Sequence, residues 1–211
     1  MAEQRRRSSS KVVAPALPEV GTLTASQLNR RTRIVDAAFE LLLSLPYDKI
    51  QMRDIADAAD VALGTVYRYF SSKERLFSFV VLKFADRLDE RLNRRPLQGQ
   101  TNEQRLVEIF GRSLHSFELV PQFFDAARVV TSSTDPLVLE NVAVLSQHTS
   151  ATFQRALDGV TQAQAETIIQ CCQALMDWLL NKWCRGYITM DDVYRDMEQG
   201  IAMLVGFSIE H

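Results

Sequence analysis

Glycine and proline are scarce in this 211-residue chain, at eight and six residues. So few turn formers exclude a collagen-like or linker-dominated polymer and weigh against a turn-rich all-β fold. Cysteine is scarcer still, at Cys171, Cys172 and Cys184. An odd, clustered set does not make the disulfide framework of a secreted domain, so a reducing, cytoplasmic setting is expected. Adjacent Cys171 and Cys172 point to different sides of any helix and form a poor metal pair; they read as small apolar fillers of a core. Long hydrophobic runs are missing too, and nothing approaches the ~20 apolar residues of a membrane span. The longest uncharged stretch, residues 141–154, carries Ser, Thr, Gln and His. Arg5-Arg6-Arg7 is followed by serines and no apolar segment, so neither a signal peptide nor a membrane partner is expected.

What is present is an ordinary globular balance, 46% hydrophobic and 24% charged, with a formal net charge of −2. Taken whole, that charge argues against nucleic acid. Its distribution argues otherwise. Residues 1–95 hold 17 Lys and Arg against 12 Asp and Glu, whereas residues 96–211 hold 7 against 14. A basic module joined to an acidic one is the simplest reading.

Residues 1–23 mix basic, Ser and Pro residues without a period and read as a flexible basic arm. Such an arm could enter a minor groove or remain a solvated tail. Beyond it, apolar residues recur at helical spacing: Ile34, Ala38, Leu41, Leu42 and Leu45 mark one buried face. Strand-like alternation is absent, so the chain is expected to be all-α, with nine helices. The first spans about 27–44, followed by short helices near 52–59 and 63–70. Ser71-Ser72-Lys73-Glu74 resembles a capping box, with Ser71 as the cap of a long fourth helix to about 93. Thr101-x-x-Gln104 opens the fifth and Pro121 the sixth. Asp135-Pro136 opens a seventh to about 157, and Thr161-x-x-Gln164 an eighth that stops at Gly186. Thr189-Met190-Asp191-Asp192 opens the ninth.

Residues 50–75, IQMRDIADAADVALGTVYRYFSSKER, have the pattern of two short helices joined by a tight connection near Asp60-Val61, a helix-turn-helix. Ile55 and Ala59 would face inward from the first helix, Val66 and Phe70 from the second. Thr65, Arg68 and Tyr69 would then face outward, with Tyr67 on the flank. Gly64 lets the backbone approach another surface closely. A cation, hydroxyls and a bare glycine at a helix N-terminus suit phosphates and base edges in a major groove. The same shape also occurs as a plain two-helix core element with solvated polar residues.

The stretch MRDIADAADVALGTVYRYFSSKERLF resembles the DNA-binding signature of TetR-type transcriptional repressors, over about residues 33–77. The resemblance implies the TetR-like nine-helix fold, with a DNA-binding domain at residues 24–75 and a ligand-binding and dimerisation domain at 76–211. It also implies a homodimer that places its third helix in the major groove of a palindromic double-stranded DNA operator. By position, Arg53 would reach a base or phosphate, Thr65 and Arg68 bases with Gly64 beside them, and Tyr67, Tyr69 and Lys73 phosphates. Two positions depart from the pattern: Gln51 and Ala62 stand where Thr and Ser caps are common, and a lost cap costs about 0.5–2 kcal/mol. The run is also similar to repressors of steroid and cholesterol catabolism in actinobacteria. That implies a small hydrophobic effector of acyl-CoA or steroid-like character; a drug-like hydrophobic inducer is the alternative.

The acidic half carries large apolar residues at helical spacing, and Phe110, Leu114, Phe117, Phe123, Phe124, Phe153 and Trp178 are candidates to line an effector cavity among the helices. Stripes of this kind also build cores. An acidic ligand would need a cation from this half, with Arg112, Arg128 and Arg155 as candidates. His115 and His148 stand alone, so no metal site is expected. Ile168, Ile169, Leu175 and Leu179 on helix 8, with Met197, Ile201, Leu204 and Val205 on helix 9, are expected to form the homodimer seam. An effector wedged among helices 4 to 8 would tilt helix 4 and shift the reading heads. No catalytic triad spacing, Gly-rich phosphate loop or Cys/His metal pair stands out, so neither an enzyme nor a cofactor is expected. A helical protein-interaction module is the remaining rival, but it leaves Gly64–Phe70 without a role.

Overall fold

The computed structural model describes the backbone of residues 24–209 and the side chains of residues 24–206. The basic arm expected at 1–23 lies outside the described residues. Among the described residues there are nine α-helices and one 3-10 turn, with no strand. The helices are α1 (Ala25–Ser44), α2 (Met52–Ala58), α3 (Leu63–Tyr69), α4 (Lys73–Asn93) and α5 (Asn102–Leu119). Then come α6 (Gln122–Thr131), α7 (Pro136–Gln154), α8 (Gln162–Cys184) and α9 (Met190–Ile209). The turn is Tyr47–Lys49, between α1 and α2.

Capping chemistry sets most of these boundaries. Helix α1 begins earlier than its apolar period suggests, because Thr24 and Gln27 form a reciprocal capping box: Gln27 N–H donates to Thr24 Oγ1 at 3.4 Å and Thr24 N–H to Gln27 Oε1 at 2.8 Å. At α4 the cap is Ser72 rather than Ser71: Ser72 Oγ accepts from Arg75 N–H at 3.2 Å. Ser71 instead accepts from the Arg75 guanidinium, and Glu74 accepts from Ser133. Two consecutive serines make the register of this box ambiguous in sequence. Thr161 and Asp135 cap α8 and α7 where expected. Gly186, at φ +74°, ends the run after α8 in the left-handed conformation, its N–H bonded to Trp183 O at 2.8 Å.

Helix α4 is the axis of the molecule, packing against α1, α6 and α7, while α9 packs between α8 and α5. One continuous set of buried residues runs from Ile34 in α1 to Val205 in α9. The two halves therefore share a core. Phe123 stands between Phe39, at 4.8 Å, and Phe84, at 4.5 Å between ring centres, joining α6 to both α1 and α4.

The eight apolar residues expected to form a dimer seam behave differently. Ile168, Ile169, Leu179, Met197, Ile201 and Val205 are buried within the single chain, and Leu175 and Leu204 are half-buried. They hold α8 onto α9 and α9 onto α5. Gly200 permits that approach, since a Cβ there would stand 2.2 Å from Leu175 Cδ2. Helix periodicity marks a buried stripe without saying whose surface buries it.

Candidate nucleic-acid interface and effector cavity

The helix-turn-helix forms as its pattern predicts, with Ile55, Ala59, Val66 and Phe70 all buried. The link between α2 and α3 turns at Asp60, whose φ of +51° is left-handed, and Val61 N–H closes it on Ala56 O at 3.0 Å. Neither unusual cap leaves its helix unsupported. The N–H of Gln51 donates to Asp54 Oδ2 at 2.7 Å, and at α3 the Ala62 carbonyl accepts from Thr65 N–H at 2.7 Å.

Arginines of α1 brace this unit from behind. Arg33 Nη2 donates to the carbonyl of Ala59 at 2.5 Å, satisfying the C-terminal end of α2. The Arg31 guanidinium lies 4.0 Å from the Phe79 ring centre and 5.2 Å from that of Phe70, and burial lowers its pKa from the ordinary value. It thereby ties α1 to the end of α3 and to α4. These pinning roles went unread in the sequence, where both residues counted only as charge.

On α3 the exposed residues are Gly64, Tyr67 and Arg68, with Tyr67 48% exposed and Thr65 half-buried beside them. Arg53, on α2, is exposed as well. Neither Arg53 nor Arg68 enters an ion pair among the described residues; the Arg68 guanidinium rests 5.3 Å from the Tyr69 ring centre. Neither cation is committed to an acidic partner among the described residues.

Two of the expected contact residues turn inward. Tyr69 is not outward: it is 6% exposed, and its hydroxyl is buried without a partner among the described residues. Three residues beyond Val66, it stands only about 60° round the helix from that core residue, close enough to be drawn into the core. Lys73 turns inward as well. Its ammonium donates to the Tyr47 carbonyl and sits 3.9 Å over the Tyr47 ring, which packs edge-on to Phe77 at 4.8 Å. Burial lowers the Lys73 pKa from its ordinary value, opposed by Asp48 and Asp54.

A cavity of about 290 Å³ opens among α4, α5, α6, α7 and α8. Of the seven residues expected to line it, Phe117, Phe124 and Phe153 do, together with Phe84 of α4 and Met176 of α8. Phe110 lies one layer behind, stacked on Phe153 at 4.2 Å, while Leu114 and Phe123 belong to the core. Trp178 points away, 56% exposed, with the Lys182 ammonium 4.3 Å over its ring. Two positions beyond Met176 is about 200° round the helix, so one α8 cannot aim both residues into the cavity.

Of the three candidate cations, only Arg128 lines the cavity. Arg112 closes the end of α4 through Leu92 and Arg95 carbonyls and pairs with Glu108; Arg155 holds Asp89 at 3.1 Å. Arg128 is exposed and has no ion pair among the described residues. Asp177, also on the lining, has its pKa raised by desolvation. His115 and His148 face Glu118 and Asp86, at 3.3 and 3.2 Å. No group of three or more His, Cys, Asp or Glu gathers among the described residues, and no described helix is long and apolar enough to cross a membrane.

A braced helix-turn-helix set on a helical body is an arrangement that DNA-binding proteins use. Residues 34–79 match the family model of bacterial regulatory proteins, tetR family. These residues form a tetR-family N-terminal domain. It is 29% identical to the HTH-type transcriptional repressor KstR of Mycobacterium tuberculosis, over 95% of this chain and 90% of that one. It is 28% identical to the repressor of the same name from Rhodococcus jostii, over 98% of this chain and 97% of the relative. The crystal structure of a TetR transcriptional regulator from Rhodococcus sp. RHA1 superposes with a TM-score of 0.71, covering 85% of this chain and 96% of that chain at 22% identity.

Proposed function

We propose that this protein is a transcriptional repressor that binds a two-fold symmetric DNA operator as a homodimer and is released by a small hydrophobic effector. The observation that carries the reading is the outer face of α3. Gly64, Tyr67 and Arg68 are exposed there, Arg68 has no ion pair among the described residues, and α1 braces the helix through Arg31. Arg68 and Thr65 read base edges, Tyr67 and Arg53 contact backbone or base, and Gly64 allows close approach. Tyr69 and Lys73 act from behind, shaping α3 and the start of α4. Residues 24–75 form the DNA-binding part and 76–211 the effector and dimer part, with α4 running from one into the other.

The homodimer uses α8 and α9, but through the faces turned away from α5. Trp178 and Met203, 56% and 64% exposed, are its apolar anchors. The effector occupies the α4–α8 cavity, where Phe84 and Leu88 of α4 and Phe124 and Arg128 of α6 would touch it together. A steroid-like or acyl-CoA ligand suits an apolar chamber with a cation at its edge. The ring of phenylalanines also favours a flat, drug-like aromatic as the second reading. Wedging α6 from α4 tilts α4 and moves α3 off register, a coupling of about 1–3 kcal/mol.

Binding to a 30-base-pair mixed-sequence duplex, followed by anisotropy against salt, tests the DNA reading. Several phosphate contacts predict an affinity loss of about a thousandfold between ~50 and ~200 mM salt. Absence of binding at the low-salt end would point to a helical interaction module instead. Equilibrium sedimentation of Trp178→Glu and Met203→Glu tests the interface, with monomers expected.

A further inference from the structure

Helical serines and threonines in this protein usually return their hydroxyl to the preceding turn. Ser116 donates to Arg112 O at 3.1 Å, Thr131 to Ala127 O at 2.9 Å, Thr149 to Leu145 O at 2.9 Å and Thr167 to Ala163 O at 2.9 Å. This local bond is the default for such side chains inside helices. Ser113 of α5 departs from it. The residue is 1% exposed, its Oγ has no hydrogen-bond partner among the described residues, and it lies on the cavity wall. Around it the wall is apolar, with Phe84, Phe117, Phe153 and Met176. A hydroxyl left unpaired in such surroundings is costly unless something outside the chain completes it.

The cavity is polarised by depth. Ser113 is the one fully buried polar residue of its lining; Thr149, Gln173 and Asn181 are half-buried, and Thr131, Arg128, Ser146 and Asp177 are exposed at the outer end. A ligand that fills the chamber therefore meets one fully buried hydroxyl, half-buried amides at Gln173 and Asn181, and the remaining polar groups nearer solvent. From this we infer that Ser113 is the specificity-determining residue of the cavity, receiving an uncharged oxygen, a ketone or hydroxyl, at the buried end of a flat apolar ligand. The inference rests on the reading of this cavity as the effector site. A charged leading end is disfavoured, because a single serine hydroxyl cannot compensate an ion taken from water into an aromatic chamber. A pure hydrocarbon fits the walls but leaves the Ser113 hydroxyl unmet.

Two probes of one shape isolate the contact: 2-acetylnaphthalene and 2-isopropenylnaphthalene, which exchange a carbonyl oxygen for a methylene. Their dissociation constants are measured by calorimetry on the full chain and on Ser113→Ala. Partitioning from water differs between the probes but cancels when the ratio of constants is compared between the two proteins. One buried neutral hydrogen bond predicts that this ratio shifts by about tenfold against the ketone on removing the hydroxyl. Because the Ser113 side chain bonds nothing among the described residues, Ser113→Ala is expected to melt at or above the parent temperature, and Ser113→Cys to keep the hydrocarbon while losing most of the ketone preference. An unchanged ratio with both probes bound overturns the role of Ser113 and leaves the effector cavity standing. Failure of both probes to bind the parent protein overturns the cavity reading and this inference with it.

Discussion

The Arg75 guanidinium grips the Asp135 carboxylate at two points, Nε to Oδ2 at 2.6 Å and Nη2 to Oδ1 at 3.1 Å. Sixty residues apart in sequence, they join the first turn of α4 to the cap of α7. Arg75 also holds Ser71, and Glu74 accepts from Ser133 in the same turn before α7. The end of the recognition unit is thus clamped to the connection that follows α6, the helix that carries Phe124 and Arg128 along the cavity.

Replacing Asp135 by Asn keeps a helix cap but removes the charge pair. Hydrogen bonding to Arg75, chiefly, lowers the Asp135 pKa below its ordinary value of 3.8. A carboxylate depressed in the folded state contributes stability above its unfolded pKa and loses it as pH falls through the folded value. Urea unfolding should therefore show Asp135→Asn less stable by about 1.5–3 kcal/mol at neutral pH, with the gap closing once pH falls below 3.8.

Lys73→Met separates a bracing lysine from a phosphate contact. Loss of the bond to the Tyr47 carbonyl is expected to lower stability by about 1–3 kcal/mol. The salt slope of DNA binding should stay as it was. A slope reduced by about one, with stability intact, would restore Lys73 to the phosphate backbone.

Tyr69→Phe removes a hydroxyl that is buried and unpartnered. Stability should be unchanged or rise by up to about 1 kcal/mol, and DNA affinity should not move. Tyr67→Phe, at the exposed neighbour, should weaken binding to every sequence alike.

Gly64→Ala is expected to move stability and binding in opposite directions. No atom lies within 4 Å of a Cβ built there, so nothing in the chain obstructs the methyl. Helix propensity favours the alanine by about 0.5–1 kcal/mol. If α3 lies against DNA, the same methyl meets the duplex, and affinity should fall by about tenfold, near 1.4 kcal/mol. Melting and anisotropy on one preparation read both signs.

Periodicity and caps made most of the fold legible. The helix-turn-helix was clearest, because Ile55, Ala59, Val66 and Phe70 repeat at helical spacing around a short link. The register at Ser71-Ser72 was not, since either serine can cap and only backbone geometry chooses. Tyr69 was misplaced because it borders both the outward and the inward side of α3. The cavity was harder still. Phe117, Phe124 and Phe153 face it while Phe110 and Phe123 do not, and the choice depends on how five helices meet rather than on any one stripe. The stripe on α8 and α9 is ambiguous for the same reason: α5 and the two helices themselves bury most of its apolar residues. Ser113 drew no notice in the sequence, where a serine in a helix carries no mark of an unmet hydroxyl.

The central claim is that Arg68 and its neighbours on α3 read DNA as one half of a symmetric pair. Selection from a random-sequence duplex library, run with the parent protein and with Arg68→Ala, tests it most directly. The parent should enrich a two-fold symmetric motif with half-site centres about 34–36 Å apart, and Arg68→Ala should lose preference at one position in each half-site. No enrichment by the parent, or the same motif and affinity from Arg68→Ala, would contradict it.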